Sequence, residues 1–261
     1  MYWEFIKKNC LTIAIMFLVL TFLMARLVTS LGYRYIRLED DAIKFFGKTD
    51  ASGYPTNGRI FYADGTNGKI DTLRGVIEFT DGSVYSGSIK GLMREGYGEM
   101  SFADGSKYNG EFRNDKMDGS GTYTRTNGEK YSGMYSDGKM HGKGTYIYSD
   151  GSIYTGMYEN GKRSGEGTLK YADGSIYDGG FRDNLKHGKG TFIYFNGDSY
   201  NGEFYKDMKQ GQGTYSWAVG TKYQGSFSED RMHGHGTLYF PDGSFYDGEF
   251  VNGEKKTEEK K

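Results

Sequence analysis

The sequence predicts an all-β chain: an elongated single-layer antiparallel sheet of tandem 23-residue β-hairpins, preceded by one N-terminal transmembrane helix. Three observations carry this prediction. Tyrosine recurs at Tyr85, Tyr108, Tyr131, Tyr154, Tyr177, Tyr200, Tyr223 and Tyr246, each followed two residues later by glycine, from Gly87 to Gly248, and an unbroken period of this length marks a repeat architecture. Within a unit the pattern alternates, as in Tyr131-Ser132-Gly133-Met134-Tyr135, so one strand face carries ring, gap, ring. The composition agrees: 42 glycines against 2 prolines, with 24 tyrosines and 17 phenylalanines, suits strands whose rings are half buried.

Taken in order, residues 1–9 form a short tail and residues 10–31 a transmembrane helix. Residues 10–25 carry no charge, and admitting Arg26 by snorkelling extends the run to about the 20 residues that cross a bilayer. A cleavable signal peptide is the alternative, with small residues at Val28-Thr29-Ser30, but the apolar run is long for an h-region. Lys7 and Lys8 flank one side, and Arg26, Arg34 and Arg37 the other; a short basic head favours an N-in signal anchor with the repeats outside the cytoplasm. Residues 32–57 are expected to form a juxtamembrane stalk that continues the helix before Gly47 and Gly53-Tyr54-Pro55 break it. The cluster Glu39-Asp40-Asp41 within it reads as a solvated face.

Residues 58–84 hold worn copies of the repeat, with Gly58 and Gly75 only 17 apart, as expected of capping units. Residues 85–252 are the array proper, seven full units and a partial eighth; residues 253–261 form a charged tail without apolar residues and are expected to be disordered. In one unit, Ser136-Asp137-Gly138-Lys139 turns the first strand into Gly142-Lys143-Gly144-Thr145-Tyr146-Ile147-Tyr148, and Ser149-Asp150-Gly151-Ser152 leads onward. Strand spacing gives an array of roughly 70–80 Å for eight units. Glycine inside a strand costs roughly 0.5–1 kcal/mol against alanine, a loss that a ring laid over it recovers.

The pattern Y-x-G-x-F/Y followed by G-x-G, as in Tyr154-Thr155-Gly156-Met157-Tyr158 through Gly165-Glu166-Gly167, resembles the MORN repeat (membrane occupation and recognition nexus). The glycine pairs from Gly96/Gly98 to Gly234/Gly236 all fall in phase with it. Asp115 and Asn184 in place of a turn glycine, Val219 in place of a turn Asp or Asn, and Arg125 in an aromatic position depart from it. The resemblance implies a scaffold or tether near a membrane and self-association in some members; others carry the repeats beside a lipid kinase or a methyltransferase domain, and no such domain fits this sequence.

Little in the chain points to chemistry. A net charge of −1 leaves no overall field toward nucleic acid. A single cysteine, Cys10, excludes disulfide staples, and no N-x-S/T sequon occurs. His141, His187 and His233 share a position in their units, and two units separate the last two by roughly 20 Å, too far to share a metal; His233 and His235 lack further ligands nearby. The recurrent G-x-G leads into a strand instead of a helix, against a nucleotide loop, and Asp-Gly pairs such as Asp150-Gly151 are hairpin turns, not calcium sites. No metal and no cofactor is therefore expected.

Two binding surfaces remain. Arg94, Lys116, Lys139, Lys162, Arg163, Lys186, Lys209 and Arg231 are expected along one loop edge, interrupted by acids such as Asp118, Asp137 and Asp183. Phe112, Tyr135, Tyr158, Phe181, Phe204 and Phe227 form the candidate binding face, an aromatic row able to line a groove, with packing on glycine as the competing reading. The function expected is a membrane-anchored, non-catalytic scaffold that binds a protein partner or its own copy; the alternative is binding of envelope glycan or anionic phospholipid. Self-association has support in the bare strand Tyr246-Asp247-Gly248-Glu249-Phe250, whose unpaired edge is a template for pairing.

Overall fold

The computed structural model describes residues 2–38 and 42–256, with side chains from residue 13 onward. The Glu39-Asp40-Asp41 cluster, residues 257–261 of the expected tail and the side chain of Cys10 lie outside the described residues. The chain divides into two compact units, residues 1–103 and 104–261.

The first unit begins with α1 (Tyr2–Ser30). The Leu31 and Gly32 amides close its last turn on the carbonyls of Leu27 and Thr29, and Gly32 sits at φ +82°, the left-handed geometry that ends a helix and that glycine adopts without strain. Seven strands follow: β1 (Tyr33–Leu38), β2 (Ile43–Thr49), β3 (Pro55–Tyr62), β4 (Asn67–Asp71), β5 (Val76–Phe79), β6 (Val84–Lys90) and β7 (Met93–Ser101). Each pairs antiparallel with the next. In place of the helical stalk the charge pattern suggested, residues 33–38, 43–49 and 55–57 are strand: the alternation in Ile43-Lys44-Phe45-Phe46-Gly47 buries Ile43 and Phe45 on one side, and period-two burial prevails over helix continuation.

The second unit holds β8 (Lys107–Arg113), β9 (Lys116–Thr124), β10 (Lys130–Ser136), β11 (Lys139–Ile147), β12 (Ile153–Glu159), β13 (Lys162–Lys170) and β14 (Ile176–Arg182). It continues through β15 (Leu185–Ile193), β16 (Ser199–Tyr205), β17 (Met208–Ser216), β18 (Lys222–Ser228), β19 (Arg231–Tyr239), β20 (Phe245–Val251) and the short β21 (Glu254–Lys255). From β8 to β21 each strand pairs antiparallel with the next, so the repeat in sequence is a repeat of hairpins in an open sheet.

One hairpin explains the rest. Tyr131 pairs with Tyr146 and Gly133 with Gly144, after which the register shifts and Met134 meets His141. The Tyr131 ring lies over the glycine pair so closely that a Cβ on Gly144 would stand 2.4 Å from its Oη. Its hydroxyl donates to the Met134 carbonyl at 2.9 Å, at the register shift. Tyr154, Tyr177, Tyr200 and Tyr223 repeat this bond to the carbonyl three residues on, at 2.9 to 3.0 Å. Asp137 and Gly138 both take positive φ, 52° and 78°, the geometry of a type I′ hairpin turn.

The core is this column of rings. Tyr131 packs edge-on against Tyr135 of its own hairpin and Tyr158 of the next, with centroids 5.2 and 5.1 Å apart, and the same step repeats to Tyr223 and Phe250. Each such pair contributes about 0.5–1.5 kcal/mol beyond area burial, so cohesion passes from neighbour to neighbour.

Candidate binding site

The aromatic row of the candidate face is assembled, and it lies inside. Phe112, Tyr135, Tyr158, Phe181, Phe204 and Phe227 are between 4% and 6% exposed; Phe112 packs edge-on against Tyr108, and each of the others is wedged edge-on between the tyrosines of two hairpins. On the same side of the sheet the second strand of each hairpin adds half-buried rings: Tyr146 and Tyr148 stand 4.6 Å apart, Phe192 and Tyr194 4.4 Å, Tyr215 and Trp217 4.7 Å. Those half-buried rings, with the residues between them, are what this face offers to a ligand.

The basic edge is not assembled as a single stripe. Lys116 and Lys162 stay at the loops, where they pair with Asp137 and Asp183 of the next unit, with both partners of each pair more than half exposed. Arg163, Lys186 and Lys209 turn inward over the rings instead. The Arg163 guanidinium is 5.1 Å from the Phe181 ring centre, Lys186 Nζ 4.9 Å from Phe192, and Lys209 Nζ 5.1 Å from Tyr215. Burial pushes both lysines below the usual ammonium range, against the pull of Asp207 and Asp230.

Those acids are tied to the same positions. The Arg163, Lys186 and Lys209 amides donate to the side-chain oxygens of Asn184, Asp207 and Asp230 at 2.8, 2.8 and 2.9 Å, and these turn residues return their amides to the same three carbonyls. Asn184, which departs from the expected turn glycine, is thus a lock between repeats. Where the inward position is methionine, at Met117, Met140 and Met232, the turn residue 21 positions later is Gly138, Gly161 and Gly253. Only the amide-to-carbonyl bond remains there.

Beside Met140 the lost side chains leave a cavity of about 270 Å³, lined by Tyr123, Tyr131, Tyr135, Tyr146, Glu129 and Arg125 together with Gly138, Lys139, Met140 and Gly161. Glu129 occupies the turn position that is a buried serine in Ser106, Ser152 and Ser175. Its Oε2 accepts from Tyr146 Oη at 2.9 Å and pairs with Arg125 at 3.1 Å. The Tyr146 hydrogen bond, with Arg125 alongside, holds this carboxyl below the usual carboxylate range, while burial pushes the Tyr146 phenol up to about 12. Tyr158, one repeat on, keeps a buried hydroxyl without a hydrogen-bond partner among the described residues.

The remaining sequence candidates stay apart. Among the described residues no three His, Cys, Asp or Glu side chains gather; His187 packs on Tyr205 at 5.3 Å and His235 faces Asp247 at 3.8 Å. Asp104, Asp150, Asp173 and Asp242 each accept the amide two residues on at 2.8 to 2.9 Å, which is turn chemistry. Two features escaped the sequence reading. Phe45-Phe46-Gly47 is a further copy of the tyrosine-glycine motif, with Phe45 against the Gly47–Gly58 pair; the 11-residue spacing shared with Gly133 and Gly144 was its signal. The matched alternation of methionine with glycine and of cation with Asn or Asp was also visible, but the register alone makes residues 21 apart neighbours.

The TCP10 domain of CPAP from Danio rerio, in complex with a STIL peptide, is 11% identical, with 84% of this chain and 99% of that one covered and a TM-score of 0.41. The SAS-4 TCP domain of Drosophila melanogaster, in complex with a proline-rich motif of Ana2, is 14% identical over 66% of this chain and 86% of that one, with a TM-score of 0.36. A likeness of this strength says nothing of function. No curated protein matches the chain. The MORN repeat profile matches seven successive 23-residue segments from residue 85 to 245 and a partial one over 246–256. With more than half of its length in phase with that profile, and each copy folded as the same hairpin, the chain belongs to the MORN-repeat family.

Proposed function

We propose that this chain is a membrane-anchored, non-catalytic scaffold whose repeat array holds a protein partner next to the bilayer. The observation that carries the membrane half is α1: Ile13–Ser30 is long and apolar enough to span, and none of it is buried against the rest of the chain, unlike the core helix of a globular domain. Its hydroxyls support the same reading, since Thr21, Thr29 and Ser30 return theirs to helix carbonyls at 2.8 to 2.9 Å, as a chain without water around it requires. The anchor spans residues 10–31 with its N-terminus in the cytoplasm and the array outside. The partner face is the side backed by the row from Phe112 to Phe227, with those rings as its floor and the half-buried tyrosines as its contact surface. The stacked half-buried rings favour a polypeptide as the ligand.

Three measurements test the proposal. The full chain is expected in the membrane fraction after alkaline extraction and a chain lacking residues 2–31 in the supernatant; the same distribution for both removes the anchor. With Cys10→Ser and Lys256→Cys, labelling of intact cells by an impermeant thiol reagent is expected, and labelling only after lysis places the array in the cytoplasm. A photo-crosslinking residue at Tyr171 or Tyr194 is expected to capture a partner that one at Thr168, on the opposite side, does not. Equal capture from both sides removes the assignment of the face.

A further inference from the structure

The repeats are copies of one hairpin, so each serves as a control for the others; three carry methionine and glycine in place of the inward cation and its turn acid, and one of these, that of Met140, differs further at Arg125 and Glu129 in a way that points to a ligand. In three consecutive repeats the ring set holds a cation from the chain itself. Lys186 lies over Tyr177 and Phe192 at 5.7 and 4.9 Å, and Lys209 over Tyr200 and Tyr215 at 5.8 and 5.1 Å. Arg163 lies over Tyr154 and Phe181 at 5.5 and 5.1 Å. The repeat of Met140 keeps the rings, with Tyr131 and Tyr146 in the places of Tyr177 and Phe192, and lacks the cation. It also lacks the acid, because Gly161 stands where Asp207 and Asp230 follow Lys186 and Lys209.

What is left is the cavity of about 270 Å³. That volume falls just below the roughly 300–1,000 Å³ of drug-sized pockets and suits a single side chain. Two further differences shape it. Arg125 replaces the ring that Tyr148, Tyr171 and Tyr194 supply elsewhere, and with its side chain 59% exposed it leaves that wall open to solvent. Glu129 brings a carboxylate whose Oε1 has only Ser149, at 3.5 Å, as a hydrogen-bond neighbour among the described residues. Arg125 offsets the charge of Glu129, so the selection of a cation rests mainly on the faces of the tyrosines.

We propose that this cavity receives a lysine or arginine side chain of a bound polypeptide, its ammonium or guanidinium over Tyr131 and Tyr146 and hydrogen-bonded to Glu129 Oε1. The inference rests on the protein-binding reading of this face and names the chemistry the partner presents there. The choice of a protein cation follows from the array itself, which fills the equivalent places with Arg163, Lys186 and Lys209.

The test uses the full chain in detergent, titrated with the tripeptide Gly-Lys-Gly acetylated at its N-terminus and amidated at its C-terminus, as are the comparison peptides, and followed by tyrosine ring resonances. Saturable shifts at Tyr131 and Tyr146 are expected, and none with the Nε-acetylated peptide, which keeps the shape and loses the charge. Met140→Lys with Gly161→Asp installs the pair that the other repeats carry and is expected to fold, and to weaken peptide binding at least tenfold by filling the cavity from within. Glu129→Gln, a near-isosteric change that serves if the double variant fails to fold, is expected to weaken it several-fold. Absence of saturable shifts, equal binding of the Nε-acetylated or of a Gly-Glu-Gly peptide, or binding untouched by both variants overturns the proposal. Crosslinking of a partner from Tyr171 that persists in the double variant, together with any of those failures, leaves the scaffold reading standing and removes only this site.

Discussion

At the scale of the residue, the glycines under the tyrosines set the tolerance of the sheet. A Cβ on Gly156 would lie 2.4 Å from Tyr154 Oη and 2.7 Å from the Gly167 Cα, and the second contact is backbone that cannot step aside. Gly156→Ala is expected to destabilise by about 1–3 kcal/mol, the usual range for overpacking. Thr168→Ala, on the open side, should stay within about 0.5 kcal/mol; the shift in denaturant midpoint checks both. The tyrosines also define an alkaline limit. Burial raises the phenols of Tyr131, Tyr146 and Tyr154 from 10 to about 12, so their contribution is full below pH 10 and lost as pH rises through about 12. Phenolate absorbance is expected to show a class of tyrosines that does not ionise until unfolding begins. Glu129 acts in the opposite sense: its lowered value makes its contribution present above 4.5 and lost as pH falls through the folded value. Glu129→Gln should flatten that acid limb in a stability–pH curve.

At the scale of the element, the hairpin is a unit with three locks to the next. Tyrosine packs edge-on across the boundary, the turn amide returns to the preceding repeat, and at Arg163, Lys186 and Lys209 a cation and an acid or amide close the junction. Lys186 and Asp207 belong to one such junction: Lys186→Met removes the ammonium that Asp207 attracts while the backbone bond to its carboxylate stays, and Asp207→Gly leaves a half-buried ammonium without that carboxylate. The double variant reproduces the Met140–Gly161 arrangement. It is expected to lose less stability than the two single losses combined, with a coupling of roughly 0.5–3 kcal/mol in a double-mutant cycle. Additive losses would mean that the matched alternation reflects no interaction.

At the scale of the molecule, stability is distributed because each hairpin touches only its neighbours. Removing residues 177–199, one full period, rejoins Ile176 to Tyr200 in phase and is expected to leave a folded array with a smaller denaturant m-value, in proportion to the surface lost. Removing half a period inverts every ring to the other face and should abolish folding, as circular dichroism would report. The sequence by itself determined the hairpins, their period and their turns, because a strand alternates in steps of two and a 23-residue repeat leaves every tyrosine over the same glycine pair. It also determined α1, whose apolar run has no other local solution. Only the tertiary structure decided that residues 33–38, 43–49 and 55–57 are strand: whether Phe45 caps a helix or covers Gly47 and Gly58 depends on a pairing between segments. Only it decided that the row from Phe112 to Phe227 is buried and that Arg163, Lys186 and Lys209 face inward. Both depend on which residues lie one hairpin away, and adjacency across strands is a property of register, which no single unit contains.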